Sequence, residues 1–265
     1  MDNTMKIGVA GAGAMGTGIA QVAAMAGHEV VVYDTFRESL DRSSKSLSED
    51  LQKLESKGKI KTGDASVIRD RISHSSDLAS LHGCGMVIEA VVEQLDVKKK
   101  LFSDLESVVG ADCILATNTS SLPVIAIAAA CQHRGRIIGI HFFNPAAIMP
   151  LVEIIPAFTT DEAVFDQSKS LVDSWGKATV KAKDTPGFIV NRIARPFYGE
   201  AIKIYEEGIA GIADIDHAMK SIGGFRMGPF ELMDLIGNDI NFNVTHTVWQ
   251  QMFYDNRYRP SITRS

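Results

Sequence analysis

The stretch from Lys6 to Ala20, KIGVAGAGAMGTGIA, decides the fold. A short apolar run, Ile7–Ala10, leads into a glycine-rich turn, and an apolar helical pattern follows at once. Gly11 permits a tight turn, Gly13 lets the backbone approach a pyrophosphate, and Gly16 lets the helix pack closely on the strand. The N-terminus of such a helix offers free N–H groups and a partial positive charge to phosphates. The stretch therefore predicts the first strand, turn and helix of a dinucleotide-binding domain.

An acidic residue predicts a contact with the ribose of the dinucleotide. A second apolar run, Val30–Tyr33, is followed by Asp34. A carboxylate here, about 20 residues beyond the glycines, accepts hydrogen bonds from a ribose 2′-hydroxyl and repels a 2′-phosphate. We therefore predict NAD, and not NADP, as the cofactor. The residues expected to hold its pyrophosphate are Gly11, Ala12, Gly13, Ala14, Met15 and Gly16.

Composition narrows the class of protein. The chain has 265 residues, of which 45% are hydrophobic and 22% charged, with a formal charge of −5. This balance is ordinary for a globular protein with a core and gives no electrostatic reason to expect a nucleic acid or a membrane surface as partner. No apolar stretch is long enough to span a membrane, and the first residues lack the cationic region of a signal peptide. Three widely spaced cysteines predict buried thiols in a reducing compartment, most simply the cytoplasm, and we expect no metal site.

Further apolar runs alternate with helical patterns up to about residue 183. Such alternation predicts an α/β fold, a Rossmann-type doubly wound parallel sheet, in which ligands bind outside the carboxyl ends of the strands. The polar clusters of this half fall at those ends. The later runs are Met86–Ala90, Cys113–Thr117, Arg136–Ile140, Pro150–Ile155 and a short one near Thr179.

The character of the chain changes near Asp184-Thr185-Pro186-Gly187. Beyond this point strand patterns give way to four helical ones. We therefore predict a dinucleotide-binding domain over residues 1–183 and a smaller all-helical domain over residues 184–265. A helical domain of this size buries little surface by itself, so we expect it to dock on the sheet domain or on a second copy of the chain.

Four residues form a hypothetical catalytic set. His141 ends an apolar run, and its imidazole has the pKa range of a base that accepts a hydroxyl proton. Glu153 is a charge within an apolar strand and needs a partner, which His141 would supply. Ser120 and Asn191 are candidates to hold a substrate oxygen. Taken singly, each residue has a plainer explanation: a core histidine, an edge carboxylate, a helix cap and an exposed polar residue.

The segments GAGAMGTGIA, TNTSSL, HFFNPA, PLVEII and DTPGFIVNRIARP occur together and in order. In this respect the chain resembles the L-3-hydroxyacyl-CoA dehydrogenases, and MGPFELMDLIG is similar to their helical domain. The resemblance covers nearly the whole chain. It implies reversible oxidation of an L-3-hydroxyacyl-CoA by NAD to a 3-ketoacyl-CoA. Within the family, the chain looks most similar to enzymes for short 3-hydroxybutyryl or 3-hydroxyadipyl substrates.

The same resemblance assigns roles to individual residues. It implies that His141 is the base, that Glu153 is its partner, and that Ser120 and Asn191 bind the 3-oxygen. It implies that Lys57 and Ser120 contact the CoA substrate. It also implies a homodimer formed through the helical domain. Family members usually continue past this chain's end at Ser265, so we also expect an incomplete site wall. The residues implied to line the cofactor are Glu93, Lys98, Asn118, Ser120 and Asn144.

Two other functions stay open at this stage. The same fold could serve a dehydrogenase that oxidises a small 3-hydroxy acid without CoA. It could also belong to a catalytically silent NAD-binding or structural protein, although the paired sets of candidate residues argue against that function.

Overall fold

The structure is a computed structural model that describes residues 5–261. The expected truncation at Ser265 lies outside the described residues. The chain divides into two compact units, one ending at Asp184 and the other beginning at Thr185. This division lies one residue beyond the predicted boundary.

The first unit is built on one eight-stranded sheet. Its strand order is β3-β2-β1-β4-β5-β6-β7-β8, so the chain starts in the interior of the sheet and winds outward in both directions. Strands β1, β4, β5 and β6 are buried along their whole length, which agrees with their near-continuous apolar runs. The strands are β1 Ile7–Ala10, β2 Val30–Tyr33, β3 Ile72–Ser75, β4 Met86–Glu89, β5 Ile114–Thr117, β6 Ile137–Phe142, β7 Leu151–Pro156 and β8 Ala178–Lys181.

Helices connect most of these strands. Leu40, Leu47 and Leu51 of the second helix are buried and lie on one face, as their spacing predicts, while most of its charged residues are exposed. The helices of this unit are α1 Ala14–Met25, α2 Arg37–Ser56, α3 Asp64–Asp70, α4 Leu95–Val108, α5 Val124–Ala128 and α6 Glu162–Ser174.

One pair of strands departs from the predicted parallel sheet. Strands β6 and β7 run antiparallel, with His141 directly opposite Glu153. The connection between them is only residues 143–150, too short for the crossover that a parallel pair requires. The prediction of a uniformly parallel sheet was therefore wrong at this pair, whereas the other neighbouring strands are parallel.

The second unit is helical, as predicted. Tyr198, Ile202 and Met233 form the buried centre of a small apolar cluster. Pro196 lies inside the first helix, and Pro229 begins the third, where its missing N–H removes no hydrogen bond. The helices are α7 Val190–Glu206, α8 Ile212–Ser221, α9 Pro229–Ile236 and α10 Asn238–Gln251.

Candidate active site

Gly11 and Gly16 of the first turn have the backbone and packing roles that their spacing predicts. Gly11 has a φ of +115°, a conformation that side chains disfavour, and a Cβ on it would lie 2.6 Å from the carbonyl oxygen of Ala90. A Cβ on Gly16 would lie 1.8 Å from the carbonyl oxygen of Gly11, so only glycine allows helix α1 to start so close to β1. Gly13 is exposed, and the space where its Cβ would lie is open. The turn thus leaves room for a phosphate beside the N-terminus of α1.

Asp34 lies directly after β2 and supports this turn. One carboxylate oxygen accepts a hydrogen bond of 2.8 Å from the backbone N–H of Ala12. The other accepts one of 2.9 Å from the N–H of Phe36. Asp34 is half-buried, so its carboxylate is held in place while part of it stays accessible. A ribose hydroxyl beside the glycine turn would meet a preoriented acceptor.

His141 and Glu153 form a buried pair across strands β6 and β7. Nδ1 of His141 lies 2.7 Å from Oε2 of Glu153, and both side chains are shielded from solvent. Directly opposed residues in an antiparallel pair project from the same face, so the sheet register itself brings them together. Because a carboxylate accepts, Nδ1 of the neutral imidazole carries the proton and Nε2 is the basic nitrogen. His141 is the second-last residue of β6, which ends at Phe142, and so lies at the end of the strand as its apolar run predicts.

Glu93 organises the loop that carries Ser120. Its Oε1 atom accepts hydrogen bonds from the hydroxyl of Thr119 at 2.6 Å and from the N–H groups of Ser120 and Ser121 at 2.9 and 3.2 Å. Burial on its own raises the pKa of Glu93, but the charge of Lys98 and these hydrogen bonds lower it more, so its pKa lies below the usual 4.5. The carboxylate is therefore charged at neutral pH and holds the loop.

A buried lysine forms an ion pair with Glu93. Nζ of Lys98 lies 3.1 Å from Glu93 and 2.6 Å from Glu89, which is itself fully buried and accepts a hydrogen bond from Thr117. Only 1% of Lys98 is exposed. The resemblance implies that Lys98 lines the cofactor, and this role stays a prediction; in the structure its ammonium group pairs with Glu93 and Glu89. The sequence analysis did not identify Glu89 or Thr119 as site residues, although Glu89 is a charge at the end of the buried run of β4.

The remaining candidate residues lie at a strand end, on the surface and in the second compact unit. The Asn118 side chain accepts a 2.8 Å hydrogen bond from the N–H of Phe142 and so ties the end of β5 to β6. Asn144 is exposed two residues beyond β6, and Lys57 is exposed at the C-terminus of α2. Asn191 lies in the first turn of α7, in the second compact unit. The predicted roles of Asn144, Lys57 and Asn191 stay predictions.

Helix α5 is capped by a residue that lies far away in the sequence. It starts at Val124, directly after Pro123. The Asp184 carboxylate, 60 residues further on, accepts hydrogen bonds of 2.9 and 2.8 Å from the first two helical N–H groups. A cap supplied from so far along the chain leaves no local pattern in the sequence.

A glycine turn open to a phosphate, an oriented aspartate and a buried histidine–carboxylate pair lie on one sheet, an arrangement that suits a dinucleotide and a base. The residues present fit NAD, because the open space at Gly13 and the half-buried, oriented Asp34 carboxylate suit a dinucleotide. Within residues 5–261, no helix has the length and apolar character needed to cross a bilayer.

Comparison with known proteins assigns the family. Residues 6–185 match the family model of the 3-hydroxyacyl-CoA dehydrogenase NAD binding domain, and residues 187–265 match that of the C-terminal domain. The chain belongs to the 3-hydroxyacyl-CoA dehydrogenase family. NAD is the cofactor of this class, as the turn and Asp34 predict.

Individual relatives are similar over almost the whole chain. The chain is 42% identical to 3-hydroxyadipyl-CoA dehydrogenase of Escherichia coli over 100% of its length and 56% of that protein's. It is 43% identical to human mitochondrial hydroxyacyl-coenzyme A dehydrogenase over 94% of its length and 81% of that protein's. A crystal structure of 3-hydroxybutyryl-CoA dehydrogenase from E. coli matches with a TM-score of 0.95 at 42% identity, covering 98% of this chain and 55% of the other. The chain thus spans about half the length of both E. coli proteins.

Proposed function

We propose that the chain catalyses reversible oxidation of short-chain L-3-hydroxyacyl-CoA to 3-ketoacyl-CoA with NAD. The observation that carries this proposal is the 2.7 Å contact between His141 and Glu153 on strands of the dinucleotide-binding sheet. Oxidation of an alcohol by NAD releases a proton, and a base with a fixed tautomer is the group that such a reaction needs.

The chain's residues would divide this chemistry as follows. NAD held by the Gly11–Gly16 turn and Asp34 would supply the hydride acceptor for C3 of the substrate. Nε2 of His141 accepts the hydroxyl proton, and Glu153 stabilises the imidazolium that results through Nδ1–H. In the reverse direction the imidazolium returns this proton to the 3-oxygen. Burial of the pair excludes water and strengthens their interaction.

Two further side chains would bind the 3-oxygen. Ser120 has a donor hydroxyl, and its loop is held by Glu93. Asn191 would supply an amide N–H. Donors fixed before the reaction favour the state in which negative charge builds on that oxygen. In this arrangement Glu93, which is paired with Lys98, would fix the position of Ser120 at the end of β5. Glu89 in turn holds Lys98.

The choice of substrate is tested with paired compounds. NADH formation is measured with 3-hydroxybutyryl-CoA, with 3-hydroxyadipyl-CoA and with free 3-hydroxybutyrate. Relatives carry names for both thioesters, and we expect one or both to react and the free acid to react far more slowly. Turnover of the free acid alone would replace this proposal with the CoA-independent dehydrogenase. Lack of turnover with every compound, while NAD still binds, would favour the catalytically silent protein.

Contact with CoA is proposed for Lys57. Its side chain is exposed at the C-terminus of α2, where an ammonium group can reach a phosphate in solvent. Lys57→Ala should raise KM for the thioester and leave kcat nearly unchanged, whereas Lys45→Ala, an exposed lysine on the same helix, should change neither. Equal KM values for both variants would remove Lys57 from the CoA site.

We further propose a homodimer formed through the helical unit and a cytoplasmic location. The helical unit exposes many large apolar side chains, which supports association with a second copy. All three cysteines are unpaired and buried, as in a reducing compartment. Burial raises the pKa of Cys113 to about 12, so this thiol is unreactive at neutral pH.

A further inference from the structure

A buried arginine in the helical unit has no role in the proposed chemistry. Arg195 lies on α7, one turn after Asn191, and only 5% of it is exposed. A guanidinium is almost never fully buried unless polar groups bind it, because leaving water is costly for a charge. The contacts of Arg195 therefore indicate what it does.

Helix α10 holds Arg195 from one side. Nη1 donates to the backbone carbonyl of Asn241 at 3.2 Å, to the side-chain oxygen of the same residue at 3.3 Å and to the hydroxyl of Thr245 at 3.2 Å. The ring of Tyr198 lies 4.9 Å from the guanidinium carbon. These contacts within one compact unit fix the planar group in a single orientation.

The other terminal nitrogen points at Asn191. Nη2 of Arg195 donates to Oδ1 of Asn191 at 3.3 Å. A side-chain amide has one acceptor end and one donor end. Since the guanidinium only donates, it binds the oxygen end of the amide and turns the NH₂ group the other way.

We propose that Arg195 is a positioning residue that orients the Asn191 amide, so that its NH₂ group donates to the 3-oxygen of the substrate. The proposal rests on the proposed function. Both the carbonyl of the ketoacyl form and the developing alkoxide accept hydrogen bonds, so a donor serves the reaction in both directions. The opposite amide orientation would aim its oxygen at the substrate oxygen and repel it.

A double-mutant cycle tests this role. Arg195→Met and Asn191→Ala should each lower kcat/KM for the thioester by about 10-fold or more, as losses of a polarising donor do. The double variant should resemble Asn191→Ala alone, because Arg195 acts through Asn191. Losses that multiply would overturn the proposal. Arg192→Met, an exposed arginine on the same helix, is the matched control and should be near wild type.

Two readouts separate positioning from folding and from the proposed function. In ¹⁵N-labelled protein, the Asn191 side-chain NH₂ resonances should shift in Arg195→Met and stay put in Arg192→Met, whether or not the enzyme turns over any thioester. Unshifted resonances would overturn the proposal. If Arg195→Met does not fold, Thr245→Val, which removes one acceptor of Arg195 at similar volume, should produce the same shift to a smaller degree.

A substrate comparison tests the strongest competing role of Arg195. A positioning residue should affect 3-hydroxybutyryl-CoA and 3-hydroxyadipyl-CoA alike, because both have the same 3-oxygen. A loss confined to the substrate with a terminal carboxylate would overturn the proposal and assign the guanidinium to that carboxylate. Arg195→Lys should not restore activity, because an ammonium group lacks the planar pair of donors that reaches α10 and Asn191 together.

Discussion

At the scale of single residues, the proposed chemistry depends most on His141. The imidazole is oriented by a carboxylate of the neighbouring strand and lies apart from the glycine turn in sequence. His141→Gln should therefore slow turnover by roughly 100-fold or more and leave the Kd for NADH nearly unchanged. Steady-state kinetics and NADH fluorescence titration measure the two quantities. His133→Gln, at an exposed histidine, is the control, and turnover near wild type in His141→Gln would remove His141 as the base.

Asp34 combines support of the turn with selection of the cofactor. Asp34→Ala should weaken NAD binding and relax the discrimination against NADP, since the carboxylate that repels a 2′-phosphate is lost. Asp34→Asn keeps an acceptor for the N–H of Ala12 and removes the charge. It should therefore retain more NAD affinity while losing the same discrimination. Dissociation constants of both cofactors for the three proteins measure this, and an unchanged NAD:NADP ratio in both variants would contradict the role.

At the scale of elements, the stabilisation that Glu93 gives to the loop after β5 should decrease in acid. The pKa of Glu93 in the folded chain lies below 4.5, so its charged form stabilises the fold fully above that pH and loses this effect as the pH falls through the lowered value. The difference in Tm between wild type and Glu93→Gln should therefore be constant from pH 8 to about pH 5 and shrink below it. Glu49→Gln, at an exposed carboxylate of α2, should show little difference throughout. A gap that widens in acid would contradict this assignment.

Prediction from the sequence worked best where one local pattern carries the information. The apolar runs, the glycine turn with Asp34 and the four helices of the second unit all have local signals. Strand β3, with sequence ISHS, was missed because it is polar and only partly buried at its end of the sheet. The antiparallel pairing of β6 and β7 depends on the path of a short connection, and the capping of α5 by Asp184 depends on contact across 60 residues. Such features arise from tertiary structure and leave no periodicity in the chain.

The candidate site shows the same division. The sequence predicts the pairing of His141 with Glu153 because each is a polar residue within an apolar strand, and the structure brings them together. The roles of Glu89 and Arg195 depend on partners that are distant in sequence or on another helix. Buried charges that interrupt apolar patterns are thus the sequence signal most closely associated with the site, even where their partners are unknown.

At the scale of the whole molecule, the helical unit presents the surface that the proposed dimer would cover. Leu235 of α9 and Ile222, just after α8, are 70% and 89% exposed, and neither lies in the apolar cluster around Tyr198. Exposed apolar side chains in such number are more typical of an interface than of a monomer's surface. Leu235→Glu combined with Ile222→Glu should therefore shift the protein from dimer to monomer in light scattering coupled to size exclusion.

The matched control is Val67→Glu with Val92→Glu, two exposed apolar side chains of the sheet unit, which should leave the mass unchanged. Circular dichroism checks that both double variants keep their helices. If the wild type has the mass of one chain at micromolar concentration, the dimer proposal fails whatever the variants do. If only the helical-unit variant becomes monomeric and its Tm falls with dilution less than that of the wild type, mass action identifies this face as the interface, since an oligomer's stability depends on concentration and a monomer's does not.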